Sequence, residues 1–220
     1  YDWDWKRADA EFRRAIELNP SYSTGHQWYA LYLAAMGRDV EARREIRKAD
    51  ALDPLSFIIS TSIGTVHYLG HRYDEALAQF NRTLVLAPEF DRTHFELARC
   101  YELKGDPQRA IAEFDKVKNV SAPVILAAKA RAHAVAGDRA TAEKLLAELF
   151  AHGRTAYVNP YDVAAVYTAL GDNDQAFGWL DRAYREHVSR LAFFRVEPMF
   201  VPLHDDPRFE ALAAKIGLPK

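Results

Sequence analysis

The sequence contains a single cysteine among 220 residues, and this scarcity excludes an internal disulfide. It has no continuous apolar stretch near the roughly 18 residues that a membrane-spanning helix needs. Neither charge sign is in surplus, because 29 lysines and arginines balance 31 aspartates and glutamates. A nucleic-acid-binding surface normally shows a basic excess. The composition therefore predicts a reducing, cytoplasmic location, no membrane contact and no nucleic-acid partner through this region.

Three of the 10 prolines follow a fixed spacing. Pro20, Pro54 and Pro88 close the similar stretches AIELNP, ADALDP and TLVLAP, and neighbours differ by 34 (54 − 20 and 88 − 54). Because proline cannot continue a helix, each of them marks the end of a helical unit. The sequence therefore predicts repeats of 34 residues.

Small and large apolar residues keep the same period. With the prolines placed at repeat position 32, a small residue recurs at position 8, alanine at position 20 and a bulky apolar residue at position 24. The members are Ala30, Gly64 and Ala98 at position 8, Ala8, Ala42, Ala76 and Ala110 at position 20, and Phe12, Ile46, Phe80 and Phe114 at position 24. Turn signals lie between the two halves of each unit. Each unit is therefore predicted to be two amphipathic helices that approach closely at the small residues.

A helix pair with this period and these landmarks resembles the tetratricopeptide repeat. The alternative is an ordinary helical bundle, in which several landmark classes would have to agree over three periods by accident. The resemblance implies an all-α fold, a right-handed superhelical solenoid of antiparallel helix pairs. Since one unit cannot bury its apolar face alone, the units are expected to stack as one body.

The repeats are expected to form one domain over residues 1–220. Five complete repeats are predicted at about 23–56, 57–90, 91–122, 123–156 and 157–188, after the second helix of a truncated repeat at 4–18 and before a C-terminal capping segment at 189–220. The repeat at 91–122 is two residues short, so a local change of curvature is expected near residues 118–123. The missing first helix leads us to expect a fragment whose front surface, near Trp3 and Trp5, is uncovered.

The end of the chain carries a separate helix signal. Asp206 and Pro207 predict a helix start, and Gly217 predicts its end. Between them, an apolar stripe is formed by Phe209, Leu212, Ala213 and Ile216. We expect this helix to cap the last repeat.

Longer stretches narrow the resemblance to one bacterial family. WYALYLAAMGR, RYDEALAQF and EPMFVPLHDDPRFEALAAKIGLP are similar to arrays that form the C-terminal part of signalling proteins. In that family the array follows a winged-helix DNA-binding, adenylate-cyclase or Ser/Thr kinase domain. The resemblance implies a non-catalytic protein–protein interaction scaffold that needs no cofactor.

The residues themselves predict no enzyme and no metal site. His67 and His71 have a spacing that metal sites use, but no nearby cysteine or carboxylate completes a ligand set. Asp205 and Asp206 precede a proline, which fits a helix cap better than a catalytic pair. Cys100 lies within a predicted helix, where a buried, inert thiol is the expected state.

The resemblance places a binding surface on the first helix of each repeat. Positions 2, 5, 9 and 12 share one face of that helix, and in tetratricopeptide arrays this face lines a concave groove that binds peptides. Carried over position by position, the groove residues are Gln27, Leu31, Thr61, Thr65, Tyr68, Arg92, Phe95, Arg99, Glu102, Arg131, Tyr161 and Thr168. The lysine and asparagine that clamp chaperone tails in one subclass are absent here. The combination of Arg92, Phe95, Arg99 and Arg131 favours a partner with an apolar anchor and acidic residues.

Two interpretations of the partner stay open. The groove could bind a peptide or helix of another protein. Alternatively, the array could be a self-association or intramolecular regulatory domain for its own upstream effector, with a possible homodimer through the exposed N-terminal half-repeat. In either case Ala76 is expected to be buried. Arg99 is expected on the open face, so Arg99→Glu should leave the melting temperature nearly unchanged.

Overall fold

A computed structural model of the chain describes residues 3–219, and within that range it contains helices and turns but no strand. The α-helices are α1 (Trp5–Leu18), α2 (Ser23–Ala35), α3 (Asp39–Leu52), α4 (Phe57–Leu69), α5 (Tyr73–Leu86), α6 (Asp91–Leu103), α7 (Pro107–Phe114), α8 (Ala122–Val135), α9 (Arg139–His152), α10 (Pro160–Leu170), α11 (Asn173–Arg185) and α12 (Pro207–Ile216). Two 3₁₀ helices, Ser189–Phe193 and Pro198–Leu203, lie between α11 and α12. None of the helices described is long and apolar enough to cross a membrane. Tyr1, Asp2 and Lys220, which belong to the predicted domain, lie outside the described residues.

Antiparallel helix pairs build the body of the molecule, as the repeat pattern predicts. The pairs are α2 with α3, α4 with α5, α6 with α7, α8 with α9 and α10 with α11. The first helices pack together from α2 to α4, from α4 to α6 and from α8 to α10, whereas α7 makes the main contact with α8. The first helices line the inner, concave side. The fold is therefore an all-α solenoid.

The turn inside each pair requires a left-handed backbone. Glycine supplies it in four pairs, and His71 takes the same place in the fifth with φ of 59°. Glycine adopts this conformation without a steric penalty, whereas histidine is uncommon there.

Gly64 and Phe80 explain why the repeat alternates small and large residues. Both are fully inside the α4–α5 pair, where a Cβ on Gly64 would come to 2.6 Å from Cδ1 of Phe80. No real Cβ is found so close to another atom, so the ring occupies the space that a side chain at position 64 would take. Ala76, on the same pair, is completely buried as expected.

The second helix of the short repeat ends early. α7 ends at Phe114 after 8 residues, whereas α3, α5 and α9 have 14 residues each. The chain then continues as turns, and the Asp91 carboxylate accepts hydrogen bonds from the backbone N–H groups of Lys118 and Asn119 at 2.9 and 2.8 Å. These bonds connect the shortened repeat to the start of its own first helix. The expected change of curvature here stays a prediction.

The segment after α11 does more than cap the last repeat. Its buried Leu191, Phe194, Phe200 and Leu203 join a core cluster that includes Ala35 and Met36 at the end of α2, at the opposite end of the repeat series. The segment therefore crosses the concave side from α11 back to the front of the molecule. Packing against the last repeat alone, which the sequence suggested, is an incomplete description of it.

The front surface is covered by this same segment. Trp3 stacks on His187 with ring centroids 6.3 Å apart, and Trp5 donates its indole N–H to the carbonyl of Ile216 at 2.8 Å. Both tryptophans pack on the C-terminal cluster. The expectation of an uncovered front near these residues is wrong, because a distant part of the chain supplies the cover.

Candidate functional site

The first helices place the predicted groove residues on the concave side, but most of them are not exposed. Ten of the twelve are buried, and only Arg92 and Phe95 keep partial exposure. Buried groove residues are Gln27, Leu31, Thr61, Thr65, Tyr68, Arg99, Glu102, Arg131, Tyr161 and Thr168. Residues 189–203, the crossing segment, pass over the groove and cover its central and rear parts.

Glu197 of that segment is the polar centre of the covered region. The Tyr68 hydroxyl donates to Oε1 of Glu197 at 2.8 Å, and Arg99 donates to Oε2. Arg99 also bonds Glu96 at 2.6 Å, and its guanidinium lies 4.4 Å from the Tyr68 ring centroid. Glu197 is only 3% exposed. A buried carboxylate is tolerated because two donors pair with both of its oxygens.

Further back, the groove residues contact the crossing segment through apolar and sulfur atoms. Arg131 donates to Glu102 and lies with Nη1 2.9 Å from the Met199 sulfur. The ring of Tyr161 meets Phe200 edge-on at 5.1 Å between centroids. These side chains are part of the interior and are closed to a partner.

The remaining polar groove residues bond inside the array. Gln27 donates to Ser62 at 2.9 Å, and the Thr61 hydroxyl lies 2.7 Å from that of Thr93. Thr65 and Thr168 each donate to a backbone carbonyl four residues earlier, at 3.2 and 2.9 Å. Their hydrogen-bonding capacity is used for helix packing, so they offer little to a ligand.

The pKa values of two buried carboxylates of this region are shifted in opposite directions. Burial raises the pKa of Glu102 to about 7, against the lowering effect of Arg131 and Arg99. Burial would also raise the pKa of Glu197, but the nearby Arg99 and Arg190 and the hydrogen bond from Tyr68 hold it below its ordinary range. One oxygen of Glu102, Oε1, has no hydrogen-bond partner within the described structure. Glu197 is therefore the better-compensated charge.

The front half of the groove stays open. A cavity of about 550 Å³ lies there between α2, α4, α6, the start of α8 and the first 3₁₀ helix. Its apolar lining is formed by Trp28, Leu31, Leu69, Phe90, Phe95, Val120, Val124 and Phe193, and its charged lining by Asp91, Arg92, Glu96, Arg99, Arg190 and Glu197. The structure thus brings together Leu31, Thr65, Arg92, Phe95 and Arg99 from the predicted groove. Arg131 and Tyr161, farther back in the predicted groove, do not line this cavity.

Sequence reasoning missed several residues of this cavity. Phe193, Arg190 and Glu197 come from the crossing segment, which has no place in the repeat pattern. Trp28 belongs to α2 but falls outside the four groove positions, and it is 53% exposed. A search for large exposed apolar residues on the first helices could have indicated Trp28. No local signal could have indicated the other three.

Buried histidines form a repeated polar contact that the sequence analysis also missed. His26 lies 2.8 Å from Glu45 and 3.0 Å from the carbonyl of Pro20. Two repeats later, His94 contacts Glu113 at 2.6 Å and the carbonyl of Pro88 at 2.8 Å. Each contact joins both helices of a pair to the preceding proline turn. His26 and His94 share one repeat position, and Glu45 and Glu113 share another. This recurrence is the sequence signal that could have indicated the contact.

Across residues 3–219, no group of three or more His, Cys, Asp or Glu side chains is arranged to hold a metal ion. Cys100 is fully buried, and burial raises the pKa of its thiol to about 12, which keeps it protonated at neutral pH. His67 accepts a hydrogen bond from Arg72 at 3.1 Å.

The family now follows from a direct match. Residues 62–123 match the family model for the tetratricopeptide repeat. This range begins within α4, contains α5, α6 and α7, and ends at the start of α8. Residues 62–123 belong to the tetratricopeptide repeat family. The helix pairs before and after this range repeat the same helix-pair architecture.

Known proteins share this architecture at low sequence identity. Anaphase-promoting complex subunit 3 of Schizosaccharomyces pombe is 24% identical over 149 residues, which is 67% of this chain and 20% of that protein. The chain therefore spans about a fifth of the length of that relative. The crystal structure of the APC/C hetero-tetramer Cut9–Hcn1 is similar with a TM-score of 0.66, 13% identity, and coverage of 97% of this chain and 46% of that one. PilW, a type IV pilus biogenesis factor, gives a TM-score of 0.62 at 18% identity, over 88% and 90% of the two chains.

The tetratricopeptide fold implies a protein–protein interaction scaffold. Proteins of this family are generally non-catalytic. The geometry of this array supplies an apolar cavity whose lining includes Arg92, Arg99 and Arg190.

Proposed function

We propose that this array binds a peptide or helix of a partner protein in the open front half of its concave groove. The observation that carries the proposal is the cavity of about 550 Å³, which is lined mainly by apolar side chains and is not filled by the array's own chain. Burying exposed aromatic and aliphatic side chains on binding is a main source of affinity at protein interfaces. Trp28, Phe95 and Phe193 are the side chains that offer this surface.

We further propose that the array is the sensory or regulatory part of a larger bacterial signalling protein. The support is the resemblance of stretches such as RYDEALAQF and EPMFVPLHDDPRFEALAAKIGLP to arrays placed behind DNA-binding, cyclase or kinase domains. In such an arrangement, a partner bound in the groove reports to the effector domain in the cytoplasm. Intramolecular binding of the effector itself is the alternative occupant of the same groove.

A peptide selection tests the groove proposal. The full chain is immobilised and exposed to a phage library of random peptides, and the selected peptides are then measured against two variants. Val120→Trp places a large ring in the cavity. Val85→Trp is the matched control on α5, where the side chain is 80% exposed. We expect selected peptides to lose binding to Val120→Trp and to keep it for Val85→Trp.

The opposite pattern would show that partners bind elsewhere. If the selected peptides bind the Val120→Trp protein as well as the parent, the groove is not the binding surface. Circular dichroism melts of both variants establish that each is folded before binding is compared.

A further inference from the structure

The charged residues around the cavity differ in how far their hydrogen-bonding groups are already paired. Its carboxylates are engaged: both oxygens of Glu197 accept from Tyr68 and Arg99, and Glu96 accepts from Arg99 at 2.6 Å. Asp91 accepts from two backbone N–H groups of the 118–119 turn. The acidic side chains therefore have little left to offer a ligand.

The arginines of the rim, by contrast, keep free donors. Arg92 makes no side-chain hydrogen bond or ion pair within residues 3–219. Arg190 makes one, from Nη1 to Asp162 at 2.7 Å, while its guanidinium lies 5.0 Å from the Tyr161 ring centroid. A guanidinium presents five N–H donors and no acceptor. The donors that make no protein hydrogen bond at this cavity are therefore guanidinium N–H groups, and a carboxylate is the acceptor that matches a planar guanidinium best.

The apolar part of the cavity lies beside these donors. Phe95 and Phe193 border it from α6 and from the first 3₁₀ helix, and Trp28 stands at its edge with about half of its surface exposed. Binding hot spots are enriched in tryptophan and arginine, and both border this apolar cavity. The cavity of about 550 Å³ has room for a bulky apolar side chain together with its neighbours in a partner segment.

We propose that the cavity docks a partner segment that inserts one bulky apolar side chain and places a neighbouring aspartate or glutamate against Arg92 and Arg190. This inference rests on the proposed function and specifies the chemistry of the partner. It also makes the site composite: Arg92 and Phe95 belong to the repeats, whereas Arg190 and Phe193 belong to the crossing segment. Arg131 and Tyr161, which the repeat positions assign to the groove, take no part because Met199 and Phe200 cover them.

The test uses defined synthetic peptides and the full chain. Fluorescein-labelled peptides of one length carry a central tryptophan and, in matched positions beside it, glutamate, glutamine or lysine. Binding is followed by fluorescence anisotropy for the parent, Arg92→Glu, Val120→Trp and Val85→Trp. We expect the glutamate peptides to bind the parent at least about ten-fold more tightly than the lysine peptides. Arg92→Glu should remove or reverse that preference, since the rim charge is reversed.

The outcomes distinguish a failure of this inference from a failure of the groove proposal on which it rests. If Val120→Trp abolishes binding but the preference for glutamate is unchanged in Arg92→Glu, the carboxylate contact is wrong and the groove proposal stands. If no peptide binds the parent, or Val120→Trp binds as well as the parent, the groove proposal fails. If sedimentation shows a parent dimer that Val120→Trp converts to a monomer, the occupant is a second copy of the chain, and the inference is overturned. Arg92→Glu changes a half-buried side chain without an ion pair, so it keeps the test decisive should Val120→Trp fold poorly.

Discussion

Trp5 and Ile216 are 211 positions apart in the chain, yet the indole N–H of Trp5 donates to the Ile216 carbonyl at 2.8 Å. The bond joins the first helix, α1, to the last, α12. Tyr32 of α2 adds a second link by donating its hydroxyl to the carbonyl of Trp5 at 2.6 Å. In most solenoids each repeat contacts only its neighbours. Here the chain after α11 returns to the first repeat, so α1 is held by residues from the far end of the chain.

Trp5→Phe should therefore destabilise the protein by about 1–3 kcal/mol, because it removes the donor and leaves a partly buried carbonyl unpaired. Urea unfolding measures this change. Trp28→Phe is the control, since Trp28 is 53% exposed and should change the free energy of unfolding by less than about 0.5 kcal/mol. Equal effects of the two substitutions would show that the bond between the ends contributes nothing.

Gly64→Ala should be destabilising by about 1–3 kcal/mol, since the added Cβ would overlap the Phe80 ring. Gly178→Ala is the matched control in α11, where a Cβ would meet no atom within 4 Å. Alanine is the better helix former, so this control should be stabilising by about 0.5–1 kcal/mol. Phe80→Leu combined with Gly64→Ala should recover part of the loss. Strict additivity of the two substitutions would contradict the proposed overlap.

Ala76→Glu should be severely destabilising. Ala76 is completely buried, so the substitution adds volume, at about 1–3 kcal/mol, and places an unpaired charge in the interior. Ala147→Glu, at an exposed site of α9, serves as the comparison. Circular dichroism melts should show a large fall of Tm for the first variant alone. A parent-like Tm for Ala76→Glu would mean that the repeat register is wrong.

Arg99→Glu should also unfold or strongly destabilise the protein, which reverses the expectation from the sequence. Arg99 is 5% exposed and pairs with Glu96 and Glu197, so the substitution would bring three buried carboxylates together. Breaking a buried ion pair costs about 3–5 kcal/mol. Arg92→Glu, on the same helix, should keep its Tm within a few degrees. If Arg99→Glu melts like the parent, the crossing segment does not occupy the groove in solution.

Glu102→Gln should flatten the dependence of stability on pH. The pKa of Glu102 is raised to about 7 in the folded protein, above its ordinary value, because burial outweighs Arg131 and Arg99 while Glu197 opposes them. The folded state therefore holds this proton more tightly than the unfolded state, and the free energy of unfolding decreases as pH rises from about 4.5 to about 7. The loss is at most about 3 kcal/mol.

Denaturant unfolding of the parent and Glu102→Gln at pH 5 and pH 8 measures this difference. The variant should gain stability relative to the parent at the higher pH. Glu148→Gln, at an exposed site of α9, should keep the parent's slope. An identical slope for all three proteins would show that Glu102 does not titrate in this range.

The helix pairs could be predicted because their information is local. A period of 34 residues relates Pro20, Pro54 and Pro88, and the contact between Gly64 and Phe80 lies within one such unit. The position of Ala76 in the interior follows from the same register. Within one repeat, side-chain size and helix periodicity are sufficient to decide which residues pack together. The all-α solenoid was therefore determined by the sequence pattern.

The state of the groove was decided only by the tertiary structure. Residues 189–203 have no repeat partner, so the repeat register assigns no position to their apolar side chains. The contact between Tyr68 and Glu197 spans 129 positions, and no local period relates the two residues. Burial of Phe194, Phe200 and Leu203 fixes the path of this segment, and that path closes the rear groove and leaves the front cavity open. Which predicted groove residues can meet a partner thus depends on packing between distant parts of the chain, which the repeat pattern does not encode.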